Sequence, residues 1–228
     1  MIEPEKIIIF DLDGTLLNTI DDLGYACNYA LEQTGYPTFA IEEYPAKVGN
    51  GINNLIRRAL PEAERSEENI LRVREYFVPY YNEHNCDFTR PYDGIPELLT
   101  ALKAEGRLLA VASNKYQAAT EKIVNHFFPG VFDVVLGERE GVERKPNPQI
   151  VYDILSQLST LHTASADRKN SQLIYLGDSL VDFETARNAN VPFVACSWGF
   201  VAREKLVEAG IEHIIDKPEE ILSTLNPL

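Results

Sequence analysis

Residues 6–15 read KIIIFDLDGT, an apolar run that passes directly into two carboxylates and a glycine. The run from Lys6 to Phe10 is short and β-branched, which is typical of a strand buried on both faces of a parallel sheet. Asp11 and Asp13 follow where that strand ends, and open α/β sheets bind their ligands at the carboxyl ends of strands. This stretch therefore predicts both the fold class and the place of a functional site.

Similar apolar runs recur along the chain and alternate with segments of helical period. Further strands are predicted at 108–112, 131–136, 173–176, 193–196 and 212–215, and helices at 96–105, 116–127, 148–158, 181–189 and 202–209. Alternation of this kind is typical of βαβ units. We therefore predict a Rossmann-like α/β core with a mostly parallel sheet.

The segment between the first strand and Arg90 contains helical patterns only. Apolar residues recur at helical spacing over 23–31, 52–60 and 70–81, and Ser66 is placed to cap the third helix. We predict an all-helical cap subdomain at 18–88, inserted into a core domain formed by 1–17 and 89–228. The polar stretch 161–171 is predicted to be a surface loop.

The composition excludes several classes of protein. The 228 residues carry 21 Lys and Arg against 35 Asp and Glu, a formal net charge of −14. Nucleic acids and acidic membrane surfaces are held by clustered basic residues, so neither is expected as a partner. The three cysteines have no metal-ligand spacing, and the N-terminus lacks the pattern of a signal peptide. We expect a cytoplasmic protein without membrane spans, either a monomer or a homodimer.

Four groups of polar residues lie at the ends of predicted strands. They are Asp11 with Asp13, Ser113 with Asn114, Lys145, and Asp178 with Asp182. Taken singly, each has a simple structural explanation, because Asp-Gly pairs form turns and Ser or Asp residues cap helices. Together, and in this order, they indicate one active site. Hard carboxylate oxygens around few side chains favour Mg²⁺ as its metal.

In these motifs the chain resembles the haloacid dehalogenase superfamily of phosphotransferases, over essentially its whole length. The stretch 11–15 is similar to the first superfamily motif, Ser113-Asn114 to the second, Lys145 to the third, and Gly177-Asp178 with Asp182 to the fourth. The helical insertion is similar to the C1-type cap of this superfamily. The segments 48–51, 91–94, 113–115 and 197–200 look most like those of phosphoglycolate phosphatases.

The resemblance implies a phosphatase that works through an aspartyl-phosphate. Asp11 would attack phosphorus, and Asp13 would protonate the leaving alcohol and then accept a proton from water. The magnesium ligands would be Asp11, the Asp13 backbone carbonyl and Asp178, with Asp182 binding directly or through water. Ser113, Asn114 and Lys145 would hold the phosphoryl oxygens. One Mg²⁺ and Lys145 balance three of the four carboxylates, so this charge count predicts a protonated Asp13.

The leading substrate implied by the resemblance is 2-phosphoglycolate, a small phosphorylated metabolite. Lys47 and Gly51 are candidates for binding its carboxylate, because the stretch between them comes before the second cap helix and would offer free amides. A turn that needs glycines for positive φ is the alternative reading. Arg57 and Arg58 are predicted to lie on a solvated helix face.

Other functions remain open at this point. A phosphomutase of the β-phosphoglucomutase kind is the main alternative, although such enzymes resemble this chain less in the cap loop, where Asn50 and Gly51 stand in place of a basic residue. A phosphatase for another small ester or a nucleotide, a dehalogenase, and a catalytically inactive binding protein are the others.

Overall fold

The computed structural model describes residues 6–161 and 172–225. Within these ranges the strands are β1 (Lys6–Phe10), β2 (Leu17–Asn18), β3 (Arg90–Pro91), β4 (Leu108–Tyr116), β5 (Val134–Glu138), β6 (Gln172–Gly177), β7 (Phe193–Cys196) and β8 (Ile214–Ile215). The α-helices are α1 (Ile20–Thr34), α2 (Ile52–Ala59), α3 (Glu67–His84), α4 (Ile95–Ala104), α5 (Gln117–Phe127), α6 (Gln149–Leu161), α7 (Leu180–Asn188), α8 (Arg203–Glu208) and α9 (Glu220–Leu225). None of the described helices is long and apolar enough to cross a membrane.

Six of the strands form one sheet in the order β5-β4-β1-β6-β7-β8, and every neighbouring pair is parallel. The side chains of β1 alternate between two hydrophobic clusters, with Ile8 and Phe10 in one and Ile7 and Ile9 in the other. Helices α4, α5 and α9 contribute to the first cluster, and α6, α7 and α8 to the second. The predicted α/β core with a parallel sheet buried on both faces is therefore confirmed.

Helices α1, α2 and α3 form an insert between β2 and β3, two short strands that pair with each other antiparallel. Helix α1 packs mainly along α3, and the apolar stripes of both helices are buried. The side chain of Ser66 caps α3 by accepting a hydrogen bond from the backbone N–H of Asn69 at 3.2 Å. The predicted helical insert is confirmed, and its limits at 18 and 88 stay a prediction.

One buried carboxylate joins the two ends of the insert. Asp22, in the first turn of α1, accepts hydrogen bonds from the backbone N–H groups of Phe88 and Thr89, each at 2.9 Å. It also accepts one from the Thr89 hydroxyl at 2.7 Å. Because Phe88 and Thr89 directly precede β3, this carboxylate ties the start of the insert to the segment that returns to the core.

The strands near the predicted site differ from the sequence prediction in two places. Strand β4 continues beyond Ala112 to Tyr116 after a shift in its register with β5, so Ser113 and Asn114 lie within it. Strand β5 begins at Val134, because the segment before it forms a turn in which the Val131 N–H donates to the Phe128 carbonyl. Of the predicted surface loop, residue 161 ends α6, and 162–171 lie outside the described residues.

Candidate active site

The carboxyl ends of β1, β4 and β6 meet at one edge of the sheet, since β1 lies between the other two strands. Asp11 directly follows β1, Asp178 directly follows β6, and Asp182 lies in the first turn of α7. One carboxylate oxygen from each lies within 4.8 Å of the others, and all three residues are buried. The structure therefore brings three of the four predicted carboxylates into one cluster.

Lys145 is the cation of this cluster. Its Nζ lies 2.8 Å from Asp11 Oδ1 and 2.7 Å from Asp182 Oδ1, and its side chain is 3% exposed. It also donates to the carbonyl of Ala112 at 2.8 Å and contacts the hydroxyl of Tyr175 at 3.1 Å. Burial acts to lower the pKa of Lys145, but the two carboxylates outweigh it and raise that pKa well above its ordinary value. The side chain is therefore a fixed positive charge.

Asp182 uses both of its oxygens inside the protein. Oδ2 accepts hydrogen bonds from the hydroxyl of Ser179 at 2.6 Å and from its backbone N–H at 3.2 Å. The Asp182 N–H donates back to the Ser179 hydroxyl, which completes a capping box at the start of α7. Oδ1 contacts Lys145, so Asp182 connects the start of α7 to this lysine.

Asp178 lies in a pocket of backbone. Its Oδ2 accepts a hydrogen bond from the Phe200 N–H at 2.7 Å, and its Oδ1 accepts one from the Thr15 hydroxyl at 3.3 Å. Two glycines touch it so closely that a Cβ at Gly199 would lie 2.2 Å from the Asp178 Cβ, and one at Gly14 2.3 Å from Oδ2. The backbone therefore approaches this carboxylate as closely as it can.

The electrostatics of the cluster fit a bound cation. Burial, followed by the nearby charge of Asp182, raises the pKa of Asp178 to about 7. The same two causes raise the pKa of Asp11 well above its ordinary value, although Lys145 opposes the shift. Three buried carboxylates face one lysine, so a divalent cation would balance their charge. The hard oxygen donors and the charge of the cluster therefore fit a metal site.

Asp13 lies beside this cluster and is held at both oxygens. The hydroxyl of Thr19 donates to Oδ1 at 2.7 Å, and Lys115 Nζ lies 3.0 Å from Oδ2. Lys115 in turn donates to the hydroxyl of Tyr81 at 2.9 Å, and its side chain is 4% exposed. Asp13 is thus linked through one lysine to the cap helix α3.

Lys115 changes the charge count that the sequence suggested. That count set one divalent ion and Lys145 against four carboxylates and needed a proton on Asp13. With Lys115 paired to Asp13, a divalent ion and two lysines balance the four carboxylates. The charge count made from the sequence therefore omitted one of the two buried lysines of the site.

Ser113 and Asn114 are at the site, and their side chains contact protein groups. Asn114 Oδ1 accepts a hydrogen bond from the Lys145 N–H at 2.9 Å, and its Nδ2 donates to the Lys145 carbonyl at 3.1 Å. The Ser113 hydroxyl accepts one from the Lys115 N–H at 3.1 Å. Asn114 thus fixes the backbone that carries Lys145.

A cavity of about 310 Å³ lies between the core site and the cap. Gly51 lines it, and Lys47 does not, because its Nζ lies over the ring of Phe39 at 3.9 Å. Arg58 is exposed, as the sequence predicted, and it also lines the cavity, whereas Arg57 forms an ion pair with Glu67.

Residues 47–49 of the loop turn their carbonyls toward Arg58. Nη1 of Arg58 donates to the carbonyls of residues 47, 48 and 49 at 2.9 to 3.1 Å. Gly49, Asn50 and Gly51 all have positive φ, which reverses the chain around the guanidinium. In the part of the chain that the structure describes, no carboxylate forms an ion pair with Arg58.

The family model for haloacid dehalogenase-like hydrolases matches residues 8–196, which include all four motifs. The chain belongs to this hydrolase family. The chain is similar to a crystal structure from Lactobacillus delbrueckii subsp. bulgaricus that is described as a phosphoglycolate phosphatase, with 34% identity and a TM-score of 0.86. The match covers 99% of this chain and 100% of that one. This chain is also 28% identical to a phosphoglycolate phosphatase from Aquifex aeolicus, over 97% of each of the two proteins. It is 30% identical to one from Vibrio parahaemolyticus, over 96% of each.

As a haloacid dehalogenase-like hydrolase, the protein is a phosphatase of the phosphoglycolate phosphatase-like kind, acting on a phosphorylated substrate. The buried group of Asp11, Asp178 and Asp182 is consistent with the metal site of the family. The predicted family and class of enzyme are therefore confirmed.

Sequence reasoning missed three polar residues of this haloacid dehalogenase-like site. Lys115 was read only as part of a motif, Tyr175 as part of a strand, and Arg58 as solvated. No sequence signal marked these contacts, because the predicted strand ended at 112, before Lys115, and the contacts of all three residues depend on how distant segments pack.

Proposed function

We propose that this protein is a Mg²⁺-dependent phosphatase that hydrolyses 2-phosphoglycolate through an aspartyl-phosphate. The observation that carries the proposal is the position of Asp11, a buried carboxylate whose Oδ1 is fixed by Lys145 at 2.8 Å beside Asp178. Phosphoryl transfer needs a positioned nucleophile and positive charge around it more than it needs any other protein chemistry.

In the first half-reaction, a carboxylate oxygen of Asp11 attacks phosphorus and the bond to the ester oxygen breaks. Asp13 gives its proton to that oxygen, so the alcohol leaves neutral. The Lys145 ammonium, the Ser113 hydroxyl and the backbone N–H of Asn114 bind the phosphoryl oxygens, while the Asn114 side chain keeps Lys145 in place.

In the second half-reaction, Asp13 accepts a proton from the attacking water, and the water oxygen bonds to phosphorus. The bond from phosphorus to Asp11 breaks, which releases phosphate and restores both carboxylates. Asp11, the Asp13 carbonyl and Asp178 would hold Mg²⁺. Asp182 would act through water, because each of its oxygens already accepts two hydrogen bonds, whereas each oxygen of Asp178 accepts one. The ion supplies positive charge for the phosphoryl oxygens.

The cavity supports a small substrate with a second negative group. A volume of about 310 Å³ lies at the small end of the range for ligand pockets. Arg58 lines its cap side without a carboxylate partner among the described residues. We assign the carboxylate of 2-phosphoglycolate to Arg58 and the loop ending at Gly51, in place of Lys47.

The direct test is a comparison of kcat/KM over a set of esters with and without Mg²⁺. The set contains 2-phosphoglycolate, ethyl phosphate, a hexose phosphate, a nucleoside monophosphate and p-nitrophenyl phosphate. We expect 2-phosphoglycolate to rank first, and mass spectrometry after rapid quenching to find phosphate on the peptide that contains Asp11. A higher kcat/KM for the sugar phosphate or the nucleotide would overturn the substrate assignment.

Arg58 also suits the second phosphate of a bisphosphate, so the phosphomutase alternative needs its own experiment. Phosphoenzyme mixed with a hexose phosphate should lose its phosphate to water if the enzyme is a phosphatase. Transfer to the sugar would instead identify a mutase. We keep the cytoplasm as the proposed compartment, since its reducing conditions maintain free thiols such as those of all three cysteines.

A further inference from the structure

Lys115 connects the proposed proton donor to the cap. Its Nζ lies 3.0 Å from Asp13 Oδ2 and donates to the hydroxyl of Tyr81 at 2.9 Å. Lys115 belongs to β4 of the core, and Tyr81 to α3 of the cap. A single buried ammonium therefore contacts the catalytic carboxyl and the cap at once.

The two contacts of Asp13 define where its carboxyl points. Thr19 holds Oδ1 from the connection between β2 and α1, and Lys115 holds Oδ2 from the other side. A proton donor acts only within hydrogen-bond distance of the leaving oxygen, and small misplacements are costly. The Asp13 side chain is 18% exposed, so it has room to rotate if one holder is removed.

The position of Lys115 in turn depends on α3. The Tyr81 ring is buried, and Lys115 Nζ lies 4.9 Å from its centre in addition to the hydrogen bond to its hydroxyl. The next residue, Asn82, accepts a hydrogen bond from the Tyr116 hydroxyl at 2.5 Å and another from Lys122 Nζ. The carboxyl end of α3 is therefore docked on the end of β4 and on α5.

We propose that Lys115 is a positioning residue that holds Asp13 for proton transfer while Tyr81 is docked, so that cap closure and acid catalysis are coupled through one side chain. The inference rests on the proposed function, because it takes Asp13 as the acid. If α3 moves away, Lys115 loses the Tyr81 hydroxyl and is open to water, and Asp13 loses a fixed partner.

The test uses three substrates that separate leaving-group help from carboxylate recognition. 2-Phosphoglycolate has a poor leaving group and a carboxylate, ethyl phosphate has a poor leaving group alone, and p-nitrophenyl phosphate needs little acid assistance. For Lys115→Met we expect kcat to fall about 10- to 100-fold for both alkyl phosphates and less than about threefold for p-nitrophenyl phosphate. Tyr81→Phe should show the same pattern with smaller losses.

Lys122→Met is the matched control, because it removes another lysine that contacts α3 and does not touch Asp13. It should leave the ratio of alkyl to aryl turnover unchanged. Lys115→Arg should recover part of the alkyl turnover, since a guanidinium can hold both partners. If Lys115→Met does not fold, as judged by circular dichroism, Tyr81→Phe carries the test.

The outcomes separate this inference from the proposed substrate. A Lys115→Met loss confined to 2-phosphoglycolate would mean that Lys115 binds the carboxylate, and equal losses for all three esters would mean a structural role. Either result overturns the inference. If the wild-type protein does not prefer 2-phosphoglycolate, the substrate proposal fails, while ethyl and p-nitrophenyl phosphate still test the role of Lys115.

Discussion

The core and the cap meet at one cavity, but their polar groups are in opposite situations. In the core, four oxygens lie within hydrogen-bond distance of Lys145 Nζ, and both oxygens of Asp182 and of Asp178 accept hydrogen bonds. In the cap, Arg58 is held only by carbonyls, and Asn50 Oδ1 is buried without a partner in the described structure. The polar side chains of the core are thus held by one another, while Arg58 and Asn50 in the cap are available to contact a substrate.

The contrast predicts that core substitutions change the rate for every substrate. Asp11→Asn keeps the shape of the side chain and removes the nucleophile, so kcat should fall by at least about 10³-fold for all esters. Steady-state assays with a folded, rigorously purified variant measure this loss. Residual activity that follows the variant through further purification would rule out the covalent mechanism.

Asp13 belongs to the core but depends on the cap, so its loss should vary with the leaving group. For Asp13→Asn we expect a loss on the order of 10²- to 10³-fold for alkyl phosphates and a smaller loss for p-nitrophenyl phosphate. In a plot of log kcat against leaving-group pKa, Asp13→Asn should have a steeper slope than the wild-type protein. An unchanged slope would contradict the acid role.

Cap substitutions should instead change the choice of substrate. Arg58→Gln should lower kcat/KM for 2-phosphoglycolate about 10- to 100-fold, because a charge-assisted hydrogen bond is lost, with little change for p-nitrophenyl phosphate. Lys47→Ala is the control, since its Nζ lies over Phe39 and outside the cavity. A larger loss of kcat/KM for 2-phosphoglycolate in Lys47→Ala than in Arg58→Gln would mean that Lys47 binds the substrate carboxylate.

The smallest effect concerns metal binding and pH. The pKa of Asp178 is 3.8 in the unfolded chain and about 7 in the folded protein. Without metal, the folded protein therefore binds the proton more tightly, and the free energy of unfolding falls as the pH rises from 3.8 to about 7. Mg²⁺ at 100 times its Kd should add about 2.7 kcal/mol near pH 8. At pH 5.5 a proton competes, and the gain in Tm, measured by scanning calorimetry, should be smaller. An equal gain at both pH values would contradict this account.

Sequence patterns were enough for the parallel sheet and the helical insert, because β1 and the stripes of α1 and α3 are local features. The carboxylate cluster was also within reach, since strand order brings the ends of β1 and β6 together. The pairing of Lys115 was out of reach, because it depends on α3 docking against β4. The exposure of Arg58 on the polar side of α2 was predicted correctly, but its contacts with the carbonyls of residues 47–49 were not, since three successive positive φ angles bring those carbonyls to it.

Two glycines against Asp178 have a consequence for reading other sequences of this family. A methyl group at residue 199 would overlap the Asp178 Cβ at 2.2 Å, and one at residue 14 would overlap its carboxylate. A homologue could therefore keep every carboxylate and lysine of the four motifs and still lose the site through one alanine. At residues 14 and 199 the absence of a side chain is therefore itself a requirement of the site.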